Sequence, residues 1–314
     1  DRIGGSTDVV IGGGTLAMGS NNDTVGTFSI TSGTLGGTGT LTAATYSLGG
    51  GTISANLGTG AATAATGTTT VDGNLGGTLT ASGGTVNLNG TLADDLTVSS
   101  GAVNLGSADR LDDTSEVSIS GGTLGMGANN DTVGTFAITG GTLGGTGTLT
   151  ASTYALNGGT IGANIGVGAA TASSGTTTLN GSLLATTLAI DGGTIALGSN
   201  GRIDNNTAVI LSAGVLDMGT FLDGVGSFTM TGGTVDGSGT LSSVVTGYDL
   251  QGGTINANLG TGTATVSTGT TDLNGNLGGN LTASSGVANV GGTIAGSVTV
   301  SGGKLARERV NLGM

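Results

Sequence analysis

The sequence predicts an all-β chain folded as a single parallel β-helix, or β-solenoid, of about 17 coils with roughly 18 residues each. Three observations predict it. A glycine-anchored step recurs along the whole chain, apolar and small polar residues alternate inside each step, and a longer repeat has lost one whole step.

The step is clearest from Gly140 to Ala151 (GGTLGGTGTLTA), which returns as SGTLGGTGTLTA from Ser32 to Ala43 and more loosely from Gly232 to Ser243. The glycine before each Thr-, Ala- or Val-led apolar pair falls at Gly14, Gly33, Gly51 and onward to Gly303. The intervals are uneven but keep to a mean of about 18 residues, the period of a solenoid coil. Within a step, stretches such as Gly39-Thr40-Leu41-Thr42-Ala43 and Thr85-Val86-Asn87-Leu88 alternate apolar with small polar. Period-2 alternation bounded by glycine reads as a short strand with Leu, Val or Ile inward and Thr, Ser or Asn outward. A helix would carry a glycine every few residues, at about 1 kcal/mol each. One such coil cannot bury its own apolar face, so it must stack on neighbours. At ~4.8 Å per strand, about 17 coils make a rod of roughly 80 Å.

The longer repeat is marked by Asn21-Asn22-Asp23-Thr24-Val25-Gly26-Thr27-Phe28. It returns at Asn129 to Phe136 and then as Phe221-Leu222-Asp223-Gly224-Val225-Gly226-Ser227-Phe228. The first offset, Phe28 to Phe136, exceeds the second, Phe136 to Phe228, by about one coil. A stack can lose a rung; a globular core cannot lose so long a segment so cleanly. The chain therefore reads as one continuous solenoid over 1–314, with larger units at approximately 1–108, 109–200 and 201–308, and 309–314 starting a fourth.

Composition narrows the function. With 70 glycines but no proline or strict triplet, the chain is not collagen, and with 8 % charged residues and a mean hydropathy of +0.27 it is expected to fold. There is no His and no Cys, so Ser-His-Asp and Cys-His arrangements and Cys-ligated metals cannot form. The net charge of −13 opposes nucleic-acid binding and a polybasic lock on lipid. No apolar run is long enough to span a bilayer, so no membrane insertion of this segment is expected. No enzymatic activity and no cofactor are expected.

Few residues remain as candidate sites. Phe28, Phe136 and Phe228 are equivalent, as are Tyr46, Tyr154 and Tyr248. Phe28 to Tyr46 and Phe136 to Tyr154 each span one coil length, which predicts stacked pairs in adjacent coils, read as core packing. All six basic residues, Arg2, Arg110, Arg202, Lys304, Arg307 and Arg309, sit at unit junctions. The two complete junction steps, Gly101 to Gly122 and Gly193 to Gly214, are the longest in the chain. They are expected to bulge, either capped locally or presented to a partner. Asp94-Asp95 and Asp112-Asp113, one coil length apart, would stack on neighbouring coils and are weak Ca²⁺ candidates; no catalytic pair is expected. The Thr38/Thr40/Thr42 and Thr146/Thr148/Thr150 steps evoke flat ice-binding ladders but occur once per unit, which favours that reading least.

From Leu105-Gly106-Ser107-Ala108-Asp109-Arg110-Leu111-Asp112-Asp113-Thr114 through Phe136, at Leu197 to Phe228, at Asp1 to Phe28 and in Tyr248-Asp249-Leu250-Gln251-Gly252-Gly253-Thr254-Ile255, the chain resembles the autotransporter-associated β-strand repeats of bacterial type V passengers. Asp112 stands where those repeats often carry proline. The resemblance implies a right-handed β-helix, exported through the outer membrane and secreted or held at the bacterial cell surface. It implies an adhesin, a biofilm matrix component or a stalk: an internal stretch of a passenger, a cleaved product or a separate fibre subunit. The expected function is a structural rod, adhesin-like or fibre-forming, meeting a host or matrix surface. It would stack end to end, since Arg2 and Arg309 occupy equivalent phases. A carbohydrate-binding or carbohydrate-active β-helix is the alternative.

Overall fold

A computed structural model describes residues 2–307. Their regular structure is all β, with no helix, and takes the form of a parallel β-solenoid of about 17 turns ~18 residues apart. Contacts divide the chain into two units. The first runs through Tyr154 and includes Gly159–Gly166; the second takes Ala155–Gly158 and continues from Val167.

In the first unit one inward column reads Val9, Phe28, Tyr46, Ala62, Leu79, Leu96, Val117, Phe136, each paired in parallel with the next. A second column runs Thr69, Val86, Val103, Leu124, Leu143, Ile161. A third side is closed by single bridges that stack Leu57, Leu75, Leu92 and Leu111. In the second unit the matching columns are Ala170, Leu188, Val209, Phe228, Tyr248, Ala264, Leu281, Val298 and Thr177, Ile195, Leu216, Val235, Ile255.

The alternation of the sequence produces these columns directly. Leu79, Leu96, Val117 and Leu124 are fully buried, while the intervening Thr80, Thr97 and Ser118 face outward. Burying one such aliphatic side chain contributes about 1.5–3 kcal/mol. The parallel ladder satisfies the backbone from the coils on either side. Inward threonines interrupt the rule at Thr69, Thr177 and Thr271, all buried. Thr177 Oγ1 accepts the N–H of Gly158 at 3.0 Å, whereas the hydroxyls of Thr69 and Thr271 are buried without a hydrogen-bond partner among the described residues.

The lost rung is visible in the register. Four steps lead from Ala62 to Phe136 in the first unit, but only three from Ala170 to Phe228 in the second. The longest steps in these columns are those from Leu96 to Val117 and from Leu188 to Val209, at the two complete junctions.

Glycine enters where backbone stacks on backbone. A Cβ on Gly39 would lie 1.9 Å from the carbonyl oxygen of Asn21, and one on Gly147 would lie 1.8 Å from that of Asn129. No side chain fits at those corners.

Candidate functional site: the repeated junction

Each long junction step is closed by a carboxylate from the following coil. Asp131 Oδ2 accepts the backbone N–H groups of Arg110 (2.8 Å) and Leu111 (3.3 Å). Asp223 Oδ2 accepts those of Arg202 (2.6 Å) and Ile203 (3.2 Å), and its Oδ1 accepts Gly224 at 2.8 Å. Asp23 does the same for Arg2 and Ile3, both at 3.1 Å. The Arg-to-Asp separation is identical in all three copies, so the signal lay in the sequence, but a spacing read for strands hides a carboxylate that clamps backbone.

The arginines of the two complete junctions turn back onto their own chain. Arg110 donates from Nε to Ala108 O (3.0 Å) and from a terminal nitrogen to Asn89 O (2.7 Å). Arg202 repeats this with Asn200 O (3.2 Å) and Asn180 O (2.6 Å). Both are half-buried. Of the two outcomes expected for these loops, local cap or presented contact, the geometry gives Arg110 and Arg202 the cap. Arg2 is exposed, as are Lys304 and Arg307 on the strand Lys304–Arg307 that pairs with Val287–Val290. Arg309 and the start of a fourth unit lie outside the described residues.

The junction turns hold the acidic candidates. Asp112 Oδ1 accepts the N–H of Thr114 (2.9 Å) and its hydroxyl (2.5 Å). Asp204 accepts the N–H of Asn206 at 2.8 Å in the same way. Asp94 Oδ1 accepts the N–H of Asp95, and Asp95 Oδ1 accepts that of Glu116 in the next coil, both at 2.8 Å. Asp94, Asp95, Asp112 and Asp113 are exposed and lie outside strands. The register there lengthens from the Leu92–Leu111 step, which sets Asp94 level with Asp113, to the Leu96–Val117 step. Among the described residues no group of three or more carboxylates could hold a metal ion. The turn is tight enough that Asp109 takes a positive φ of 55°, alone among the described non-glycine residues.

These environments split the carboxyl pKa values. Burial pushes Asp131 and Asp223 above the ordinary value, despite the N–H bonds each accepts. For Asp23 burial pulls the same way, but the N–H groups of Arg2, Ile3 and Thr24 together outweigh it and the pKa falls. The Thr114 hydroxyl and N–H lower Asp112.

The aromatic pairs form as expected. Ring centroids are 6.3 Å apart in Phe28–Tyr46 and 6.4 Å in both Phe136–Tyr154 and Phe228–Tyr248, all edge-to-face. Sequence reasoning missed the phenol. Tyr46 Oη accepts the N–H of Ala43 and donates to Leu41 O, both at 2.9 Å. Tyr154 and Tyr248 repeat this on Ala151 and Leu149 and on Ser243 and Leu241. Burial raises all three phenol pKa values, and Tyr154 is pushed up to about 12.

Two further features escaped the sequence reading. In the first unit Ser29, Ser47, Thr63, Thr80, Thr97 and Ser118 form one outward hydroxyl column in unbroken register, ended by Ala137. The sequence phrases that build it look unlike one another, so only the register reveals it. In the third repeat Leu222 replaces Asn22 and Asn130, whose side chains accept Thr40 and Thr148 N–H at 2.8 and 2.9 Å. Leu222 is exposed, as are Val244 and Val245, which fall in a stretch slightly longer than its counterparts before Tyr46 and Tyr154.

No protein-family model, no curated protein and no solved structure matches the chain.

Proposed function

We propose that the chain is a structural solenoid segment of a secreted or cell-surface bacterial protein, adhesin-like or fibre-forming, exported in the manner of autotransporter passengers. The observation that carries this reading is where the polar chemistry goes. Arg110, Arg202, Asp131, Asp223 and the three tyrosine hydroxyls bond to backbone inside the stack, so the repeated polar residues serve the coils themselves.

End-to-end association with a second copy follows from the repeat's own pairing rule. Leu96–Val98 and Ala102–Leu105 pair with Glu116–Ile119 and Thr123–Gly125. By equivalence, Val298–Val300 and Lys304–Arg307 of one copy would pair with Val9–Ala17 of the next, bringing Val298 to Val9 and Leu305 to Leu16. Electron microscopy of the purified chain tests this. Fibres are expected, and glutamate at Val298 and Leu305 should abolish them. Wild-type protein without fibres, or fibres unchanged by the substitutions, would defeat end-to-end stacking.

The outward hydroxyl column favours a second reading, carbohydrate binding along the first unit. Retention on insoluble polysaccharide that is lost in Thr80→Val/Thr97→Val would support it, and equal retention of both proteins would remove it.

A further inference from the structure

The third repeat departs from the other two beside its tyrosine. The step from Phe228 to Tyr248 is two residues longer than those from Phe28 to Tyr46 and from Phe136 to Tyr154, and the added stretch carries Val244 and Val245. Their N–H groups bond to Val225 O (2.9 Å) and Gly226 O (3.1 Å), so the segment stays tied to the coil before it. It parts from the coil after it. In the first repeat the ladder between these coils begins at Thr45 and Ala61. A Cβ on Gly60 would there lie 2.2 Å from Ala43 O and 2.8 Å from Ala44 O, which leaves no room between the two backbones. In the third repeat the ladder begins only at Tyr248 and Ala264, and a Cβ on the equivalent Gly262 would stand 3.2 Å from Ser243 O. A cleft of about 570 Å³ opens between residues 242–247 and 261–263, a size usual for small-molecule sites.

The walls of this cleft select a ligand class. Ser242, Thr246, Thr261 and Thr263 bring hydroxyls to it, and Val244 and Val245, 55 % and 71 % exposed, bring apolar surface. Ser243, which stands where the other repeats have Ala43 and Ala151, also lines it. Its Oγ is buried with no hydrogen-bond partner among the described residues. Thr263 likewise replaces Ala61 and Ala169. The polar groups that recur in every repeat close their own coils, whereas these hydroxyls belong to the third repeat alone. A hydroxyl both donates and accepts, as each hydroxyl of a sugar does, and the C–H face of a pyranose suits the valines. No charged residue lines the cleft among the described residues, and the net charge of −13 repels an acidic sugar.

We propose that the cleft between residues 242–247 and 261–263 binds a neutral saccharide, at a site separate from the outward hydroxyl column of the first unit. The threonine and serine walls bond the sugar hydroxyls, while Val244 and Val245 cover a C–H face. Beyond Val244 a second depression, bordered by Leu222 and Thr240, gives a short chain of sugars room to extend.

Amide NMR of the full chain, titrated with cellotriose, maltotriose, mannotriose and the acidic trigalacturonate, tests the site. At least one neutral trisaccharide should shift the amides of Val244, Val245, Thr246, Gly247 and Thr263 saturably at millimolar concentration, and trigalacturonate should not. Deleting Val244 and Val245 restores the step length of the first two repeats and should abolish those shifts in a chain that keeps its β circular dichroism. Thr246→Val/Thr263→Val leaves the loop in place and should weaken binding by about tenfold or more; it decides the matter if the deletion does not fold. No saturable shift from any of the three neutral sugars, an equal response to trigalacturonate, or undiminished binding in either variant overturns the proposal. Shifts confined to Thr63, Thr80 and Thr97 would support binding along the first unit and overturn the cleft.

Discussion

The hydroxyl of Tyr46 closes a buried corner, accepting from Ala43 and donating to Leu41. Removing it leaves the N–H of Ala43 without its acceptor, while Leu41 O keeps the N–H of Gly58; an unsatisfied buried donor costs about 1–3 kcal/mol. Tyr46→Phe and Tyr154→Phe should each lower the unfolding free energy by that amount, while the edge-to-face ring contact persists; chemical denaturation checks this. The same burial sets a pH response. Tyr154 should not ionise in the folded protein until about pH 12. A phenol whose pKa is higher folded than unfolded contributes stability that is complete below its ordinary value of about 10 and is lost as pH rises through the folded one. Ultraviolet titration should thus show tyrosine ionisation arriving together with alkaline unfolding. Phenolate appearing near pH 10 in a folded chain would count against buried hydroxyls. At the acid end Asp112, held low by Thr114, loses its contribution as pH falls below about 4.

At the scale of the strand and corner, the alternation of Leu, Val and Ile with Thr and Ser was enough to place most inward residues, because a side-chain period of two leaves only two faces to choose between. The corners were less legible. Nothing in Gly36-Gly37-Thr38-Gly39 says which glycine lies beneath a carbonyl; the stack decides that Gly39 sits against Asn21. Asp131 was equally opaque, since a carboxylate beside asparagine reads as a solvated turn until the coil before it is in place. The acidic pairs Asp94-Asp95 and Asp112-Asp113 were only partly legible for a related reason, as the junction lengthens the step there from Leu92–Leu111 to Leu96–Val117. Two substitutions separate close approach from glycine flexibility. Gly147→Ala should destabilise by roughly 1–3 kcal/mol or splay its coil, because the new methyl meets a backbone oxygen that cannot rotate away. Gly5→Ala, with open space around it, should change stability by no more than about 0.5 kcal/mol. Thermal unfolding of the pair checks both.

For the whole molecule, each coil is a module whose only obligations are to the coil before it and the coil after it. The one-step difference between Ala62–Phe136 and Ala170–Phe228 is what such modularity allows, and three aromatic pairs with the same geometry survive on either side of it. The function proposed above draws on the same property: a chain whose polar groups close its own corners is suited to bear loops and carry load. Deleting Leu79 to Asp95 tests the modularity most directly. The cut removes one whole coil and brings Ala62 into register with Leu96, since both now pair with Leu79. Circular dichroism and calorimetry of the shortened chain should show the same β signature and one cooperative transition, with an unfolding enthalpy reduced in proportion to length. A chain that loses its β structure or melts without cooperativity would contradict a solenoid built from interchangeable coils.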